Sequence, residues 1–391
     1  TFNNPYARFK KGYLEFGETV EEVFVNLIKP LEFSAEKGEA REHKRYLPDV
    51  KSAFHVMNWR VLYPVTIQDD DLKLAFLSID GVTNLIAKIV DSVYTAAEYD
   101  EFLLFKYLLI KAISSGRMYP DSIGSTFAEN AVEYRAFSNL LPFMSTEYNE
   151  AGVKTTTPKE RQVIFMDAKY NAQYDVNVLA SAFNMDKADF MGRLFLIDDW
   201  TSFDNERFEV IRANSDGIEE VTDAELALLE DVKACILDEN WFQVYDNHNK
   251  FTEDYVSAGL YWNYFYHVWK TVSSSPFANA VVFVEPTATI TAPTTLTFKV
   301  SAVDLSNESR VINLVEQVGD TLQPHNAEFI QTEALTEAGI AVHPYGSLVM
   351  ASSVTGAKTI VAKIGDIEYT ASVNVGTVAT NATITLTQPN T

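Results

Sequence analysis

Gly259-Leu260-Tyr261-Trp262-Asn263-Tyr264-Phe265-Tyr266-His267-Val268-Trp269-Lys270 places six aromatic rings within nine residues. Such a stretch suits a base-stacking platform, a carbohydrate cleft, a cofactor wall or a buried strand. At period two, Leu260, Trp262, Tyr264, Tyr266 and Val268 share one face; Tyr261, Asn263, Phe265, His267 and Trp269 share the other. Both sets are bulky, and no charge appears before Lys270. A strand facing water alternates with polar residues, whereas one covered on both sides does not. Base-stacking platforms come with lysine and arginine, but the neighbours here are Asp246, Glu253 and Asp254. The stretch reads as a strand buried on both faces, inside a layered domain or beneath another subunit. Trp262, Tyr264, Phe265, Tyr266 and Trp269 are then structural core.

Composition narrows the function classes. Apolar residues make up 47 % of the 391 residues and aromatics 13 %, which supports real cores and argues against disorder. The length is that of two or three domains. The formal charge of −23 is a poor footprint for a protein that grips nucleic acid through phosphates. Cys235 is the only cysteine, so neither an intrachain disulfide nor a multi-cysteine metal site is available. This composition fits synthesis in a reducing cytosol. No uninterrupted apolar run approaches the roughly 18 residues of a membrane span.

Residues 1–16 read as an extended arm carrying Arg8, Lys10 and Lys11. A strand-like run, Val23 to Ile28, leads to a nearly all-charged tip, Glu36 to Arg45. A return run follows from Phe54 to Tyr63. Strand, charged tip and strand make a long two-stranded excursion, which is marginal in water unless it lies on something. Asp69-Asp70-Asp71 precedes Leu72 and reads as a helix cap rather than a metal site. Residues 82–113 contain neither glycine nor proline, and Val82, Ile86, Ile89, Val93 and Ala97 follow helical spacing. The expected helix is about 48 Å long, several times the ordinary length.

Farther on, strands are expected at Arg161–Met166, Gly192–Asp199 and Trp241–Tyr245, with helices at Asp175–Phe183 and Thr222–Leu237. That mixture is α+β in character. At about residue 285 the composition shifts to threonine, valine, alanine and serine in strict alternation. A Gly365-Asp366 turn would pair Ile364 with Ile367, Ala362 with Tyr369 and Ile360 with Ala371, all on one apolar face. Residues 286–391 are expected to form a separate Ig-like β-sandwich.

Catalytic signatures are absent. No two glycines lie close enough for a nucleotide loop, and there is no nucleophile elbow. The histidines never stand three or four residues apart, so none forms a helical zinc pair. Asp198-Asp199 at a strand end is the one candidate carboxylate pair, and it carries the alternative reading of a cytosolic hydrolase. A second alternative is a surface or fibre protein that binds glycans through the Ig-like module. The expectation is no enzyme, no cofactor and no metal.

The aromatic stretch, followed by Phe277-Ala278-Asn279-Ala280-Val281-Val282-Phe283-Val284, resembles the major capsid proteins of the phi 29-like short-tailed (podovirus) phages. Further blocks agree in order: Asn4-Pro5, Phe9-Lys10-Lys11-Gly12 and Gly17-Glu18-Thr19-Val20-Glu21-Glu22; Pro48-Asp49-Val50-Lys51 with Phe54-His55, Thr66-Ile67-Gln68-Asp69-Asp70 and Leu72-Lys73; Asp175-Val176, Val178-Leu179-Ala180, Ala182-Phe183-Asn184-Met185 and Phe190; and Trp241-Phe242 with Val244-Tyr245-Asp246-Asn247. The resemblance covers residues 4–284 in patches. It implies the Hong Kong 97 capsid fold: an N-terminal arm (1–16), an E-loop hairpin (17–66), a peripheral domain with a spine helix (67–118), an axial domain (119–240), return strands (241–284) and the C-terminal module (286–391). It implies a bacteriophage structural protein that assembles with itself into hexamers and pentamers of an icosahedral shell around double-stranded DNA, touching that DNA weakly. Expected partners are a scaffolding protein, a portal and head fibres, with assembly in the host cytoplasm and final residence in the virion. The expected inter-subunit contacts are Arg8, Lys10 and Lys11 in the arm and Glu36, Lys37, Glu39, Arg41, Glu42, Lys44 and Arg45 at the E-loop tip.

Overall fold

The computed structural model describes residues 2–15, 17–28, 30–31, 33, 48–70, 79–175, 193–213, 215, 217–285, 295–306, 309–316, 327–343, 346–364, 367–379 and 382–389. The charged tip at 36–45, the helix expected after Asp71 and most of the helix expected at 175–183 lie outside these residues.

The long helix is present as α1, Ile79–Ser114, and is 36 residues long. It ends where Gly116 turns with φ +67° and its N–H reaches the Ile113 carbonyl at 3.1 Å. Beside it stands a five-stranded sheet of β5 (Tyr119–Ser122), β11 (Ala280–Val284), β8 (Val232–Asp238), β6 (Gln162–Asp167) and β7 (Leu194–Ile197), in that spatial order. The inner strands are buried on both faces. Val163, Phe165, Cys235, Leu237, Val282 and Val284 share a core with α1 residues Leu103 to Ile113. Ile164, Met166, Ala234, Ile236, Val281 and Phe283 pack on the other side against Tyr134 and Phe137 of α2 (Phe127–Leu140) and Tyr174 of α3 (Ala168–Tyr174). Helix, sheet and helix form three layers, which is why these strands read as unbroken apolar runs.

One expectation is corrected here. The helix read over Thr222–Leu237 starts as expected, with a capping box between Thr222 and Glu225, but α5 spans only Asp223–Leu228. Val232 to Asp238 is instead the middle strand β8, hydrogen-bonded to β11 and β6. A short apolar run covered on both faces has no periodicity to separate it from a buried helix.

The second sheet has the order β1 (Lys10–Tyr13), β9 (Phe242–Val256), β10 (Tyr261–Ser274) and β4 (Met57–Gln68). The aromatic stretch is β10, paired along its length to β9 and β4. Its side chains depart from expectation. Residues 261–267 and Trp269 are half-buried, so Trp262, Tyr264, Phe265, Tyr266 and Trp269 lie outside the cores; Val268 and Val272 are the strand's fully buried apolar residues. The rings of β10 pack on rings of neighbouring elements, β9 and α1. Trp262 lies 4.9 Å from Tyr255, and Tyr266 lies 5.2 Å from Tyr94. The two-stranded excursion is β2 (Val20–Val25) with β3 (Val50–His55), and most of the return run expected at Phe54–Tyr63 belongs instead to β4, paired to β10.

The arm is also corrected. It docks on its own subunit rather than extending freely. Tyr6 and Phe9 are fully buried in the main core, and β1 pairs in parallel with β9.

Residues 295–387 hold a separate core and an eight-stranded arrangement. The strands are β12 (Thr295–Ser306), β13 (Ser309–Glu316), β14 (Glu328–Phe329), β15 (Ile340–Val342), β16 (Ser347–Ala351), β17 (Ala357–Ile364), β18 (Ile367–Asn374) and β19 (Thr383–Thr387), in the order β14-β17-β18-β19-β12-β13-β16-β15. The β17–β18 register is the one read from the sequence, with Ile364 opposite Ile367 and Ala362 opposite Tyr369.

Candidate functional site

The long helix α1 carries charges into the protein, and each is met by a partner from a different element. Glu101 and Asp100 are 3 % exposed and Lys106 is 2 % exposed. Isolated charges at such depth are untenable, so pairing is required.

The first node holds the arm. Asn4 folds back on itself, its Oδ1 accepting the Tyr6 N–H at 2.9 Å. Its Nδ2 donates to Glu101 at 2.9 Å, and its backbone N–H donates to Glu98 at 3.0 Å. Tyr6 then stacks on Phe102 at 5.3 Å and donates its hydroxyl to the Leu196 carbonyl at 2.6 Å. Burial pushes the phenol's pKa well above its ordinary value. Lys10 lies 3.2 Å from Glu101 and 3.4 Å from Asp246, while Lys270 binds Glu101 and lies 2.5 Å from Asp246. Two ammonium groups and two carboxylates balance. Burial raises the Asp246 pKa, but Lys270 and Lys10 outweigh it and hold the carboxyl below its usual range.

Three more nodes follow along the helix. Asp100 accepts from the Tyr63 hydroxyl of β4 at 2.6 Å and from Arg207 of α4 (Asn205–Ala213). Lys106 pairs with Asp198 at 2.8 Å. Lys111 pairs with Glu225 at 2.7 Å, and the same carboxylate closes the α5 capping box. The helix thus ties the arm, both sheets and two short helices into one frame.

Arg8 lies over Phe195 at 4.9 Å and 3.7 Å from Glu239; Lys11 donates to Asn240 at 2.6 Å. All three arm cations therefore have partners within the chain. Asp198 is taken by Lys106, and Asp199 accepts from the N–H and hydroxyl of Thr201 at 3.0 and 2.9 Å. The two carboxylates are not aimed at a common point. Asp199 lines a surface cleft of about 600 Å³ with Lys169, Trp200, Glu230, Lys233 and Glu285, where Lys233 and Glu285 pair at 3.0 Å. Among the described residues no group of three histidine, cysteine or acidic side chains could hold a metal. The sequence reading missed Glu101, Asp246, Lys270 and Arg207. The local signal was Lys106 and Lys111 inside an otherwise apolar stretch of helix.

The model of the Phi29-like phage major capsid protein family matches residues 1–284, stopping where the second core takes over. The chain belongs to that family. Among its relatives, the major capsid protein of Bacillus phage B103 is 36 % identical over 292 residues, 73 % of this chain and 59 % of that protein. That of Bacillus phage PZA is 35 % identical over the same length, and that of Streptococcus phage Cp-1 is 26 % identical over 224 residues. The chain spans 59 % of the length of the B103 and PZA proteins. Two solved structures share the fold. A chain from the capsid structure of Staphylococcus phage Andhra superposes with a TM-score of 0.56 at 15 % identity, covering 74 % of this chain and 85 % of that one. A chain from the structure of the head fiber and inner core protein gp22 of bacteriophage P68 gives 0.55 at 16 %, covering 72 % and 84 %. This capsid-family chain therefore has a mixed α and β fold, shared with these phage structural chains. Within the family, the Asn-Pro block near the N-terminus acquires a physical role here, because Asn4 anchors the arm to Glu98 and Glu101.

Proposed function

We propose that this chain is the major capsid subunit of a short-tailed phage and closes as hexamers and pentamers into an icosahedral head around double-stranded DNA. The observation that carries this reading is the family match over residues 1–284, the whole of the part built on the spine helix. The frame suits a subunit that bears load: every buried charge of α1 named above is spent on internal ties. The net charge of −23 suits a shell that must release its DNA.

In finer detail, the hairpin is the E-loop. Its tip residues Glu36 to Arg45 meet a neighbouring subunit, and Arg8, Lys10 and Lys11, each with a partner within the chain, hold the arm in place for such contacts. Residues 286–391 are an Ig-like module. A single pair, Thr370 with Thr387, joins β18 to β19, which supports two sheets meeting at one corner of a sandwich. A scaffolding protein, a portal and head fibres are the expected partners, and assembly takes place in the host cytoplasm without enzymatic activity.

Electron microscopy and sedimentation of the purified chain, alone and with lysate partners, test the reading. Closed isometric particles or five- and six-fold rings are expected; a monomer or dimer under every condition would overturn it. Deleting residues 286–391 should leave particles that close. Alanine at both Asp198 and Asp199 should leave assembly intact, whereas under the hydrolase alternative it abolishes an activity.

A further inference from the structure

The hairpin β2–β3 joins the body through two thin legs. On the outgoing leg β3 ends at His55 and β4 begins at Met57, so one exposed residue, Val56, separates hairpin from body. Just beyond it β4 bulges. Trp59 faces Lys270 and Met57 faces Thr271, and the skipped Asn58 closes the gap with its amide, donating to the Val272 carbonyl at 2.8 Å and accepting its N–H at 2.9 Å. Bulges bend and twist the strand that carries them. On the incoming leg the Glu18 N–H reaches the Glu15 carbonyl at 3.1 Å, and Gly17 turns with φ +91°.

Between the legs a polar cluster fastens the hairpin to the end of β10. His55, 3 % exposed, has Nε2 3.3 Å from Glu22 and Nδ1 2.6 Å from Ser273 Oγ. The Ser275 hydroxyl donates to the other Glu22 oxygen at 2.8 Å, and Ser273 Oγ also lies 3.3 Å from the Gln243 carbonyl. Glu22 and His55 belong to the hairpin; Ser273, Ser275 and Gln243 belong to the body. Phe24 stacks on Phe277 at 5.7 Å, and Lys51 donates to the Ala151 carbonyl at 2.5 Å. These contacts lie on the inward side, while Glu21, Val23, Val25 and Phe54 face outward and exposed.

We infer that this cluster is a catch: Glu22 and His55, clamped on Ser273 and Ser275, hold the hairpin at one angle about Val56, and their release gives the same folded subunit a second angle. Its use rests on the shell reading, since one chain placed in both five- and six-fold rings must meet its neighbours at more than one angle. The chemistry suits a reversible fastening. Ser273 can donate to a neutral imidazole, or accept from an imidazolium while donating to Gln243, so the catch survives either state of His55. Glu22 is 27 % exposed at its side chain, so water replaces the lost partners when the catch opens.

Distance measurement on the unassembled full chain tests this separately from shell closure. Cysteines introduced as Ser52→Cys on the hairpin and Lys250→Cys on β9 are both exposed, and the native Cys235 is fully buried and does not compete for spin label. The parent should show one narrow distance by pulsed electron paramagnetic resonance. Glu22→Ala with His55→Phe should add a second distance, its population rising about tenfold on loss of the charged acceptor. Ser273→Ala with Ser275→Ala, which leaves the hairpin's own residues untouched, should move the population the same way. An unchanged single distance in the folded double variant overturns the catch. If that variant does not fold, an unchanged distance in the serine variant overturns it. Particle formation by the parent, scored by electron microscopy, reports on the shell reading alone.

Discussion

Lys270 of β10 and Glu101 of α1 are bonded in the interior, each with 4 % of its side chain exposed, and Lys10 and Asp246 complete a balanced set of four. The N-terminal residues, helix α1 and the second sheet meet at this one point.

Glu101→Ala should therefore be far costlier than its size implies. It leaves two ammonium groups facing one carboxylate and removes the acceptor for Asn4. Breaking a buried pair costs about 3–5 kcal/mol. Denaturant midpoints should show a loss of that order, with the arm's amides exchanging faster in hydrogen exchange.

The same set makes stability acid-sensitive. Asp246 and Glu225 are pushed up by burial but held below their ordinary range, the first by Lys270 and Lys10, the second by Lys111 and Thr222. A carboxyl with a lowered folded pKa contributes fully above its unfolded value, about 4, and loses that contribution as pH falls through the folded value. Unfolding free energy measured from pH 7 downwards should hold to about pH 5 and then drop. In Asp246→Asn with Glu225→Gln the drop should be shallower.

Asp121 should behave in the opposite sense. Burial first, and then the nearby Glu133, push its carboxyl up to about 6, and its buried Oδ2 has no hydrogen-bond partner. A raised carboxyl pKa penalises the folded state as pH rises from about 4 to 6. Asp121→Asn should stabilise the chain at pH 7, and the gain should vanish near pH 4 in paired melting curves.

Within the arm, Phe9 and Arg8 are neighbours with unequal weight. Phe9 is 1 % exposed and packs on Phe242 at 5.1 Å and Phe195 at 4.9 Å. Phe9→Ala should cost about 3–5 kcal/mol. Arg8, with 48 % of its side chain exposed, adds a 3.7 Å pair with Glu239 and a contact over the Phe195 ring, and Arg8→Ala should cost about 1 kcal/mol. Limited proteolysis near residue 10 should quicken in the first variant and not in the second.

Local rules made much of this fold legible. The long helix α1 follows from uninterrupted periodicity, and the β17–β18 register follows from a two-residue turn that fixes its closing pair. The second domain showed itself through a change of composition. What escaped depends on distant partners. Lys10 looks like a free surface cation until Glu101 is placed against it, 91 residues away in sequence. Val232 to Leu237 shows no period because both faces are covered, one by α1 and the other by α2. The rings of β10 read as core because bulk without charge signals covering, yet they are half-buried, packed on rings of β9 and α1.

The parallel pairing of β1 with β9 also sets an order of events during synthesis. Lys10 lies opposite Val244, and Tyr119 of β5 lies opposite Val281. The arm leaves the ribosome long before its strand partner exists; at ordinary elongation rates the wait is tens of seconds. Over that interval Tyr6 and Phe9 have no finished site to enter. The capsid part can close only once residues up to Val284 have emerged, while the β domain that follows is still being made. A chain built this way cannot fold piecewise from its N-terminus.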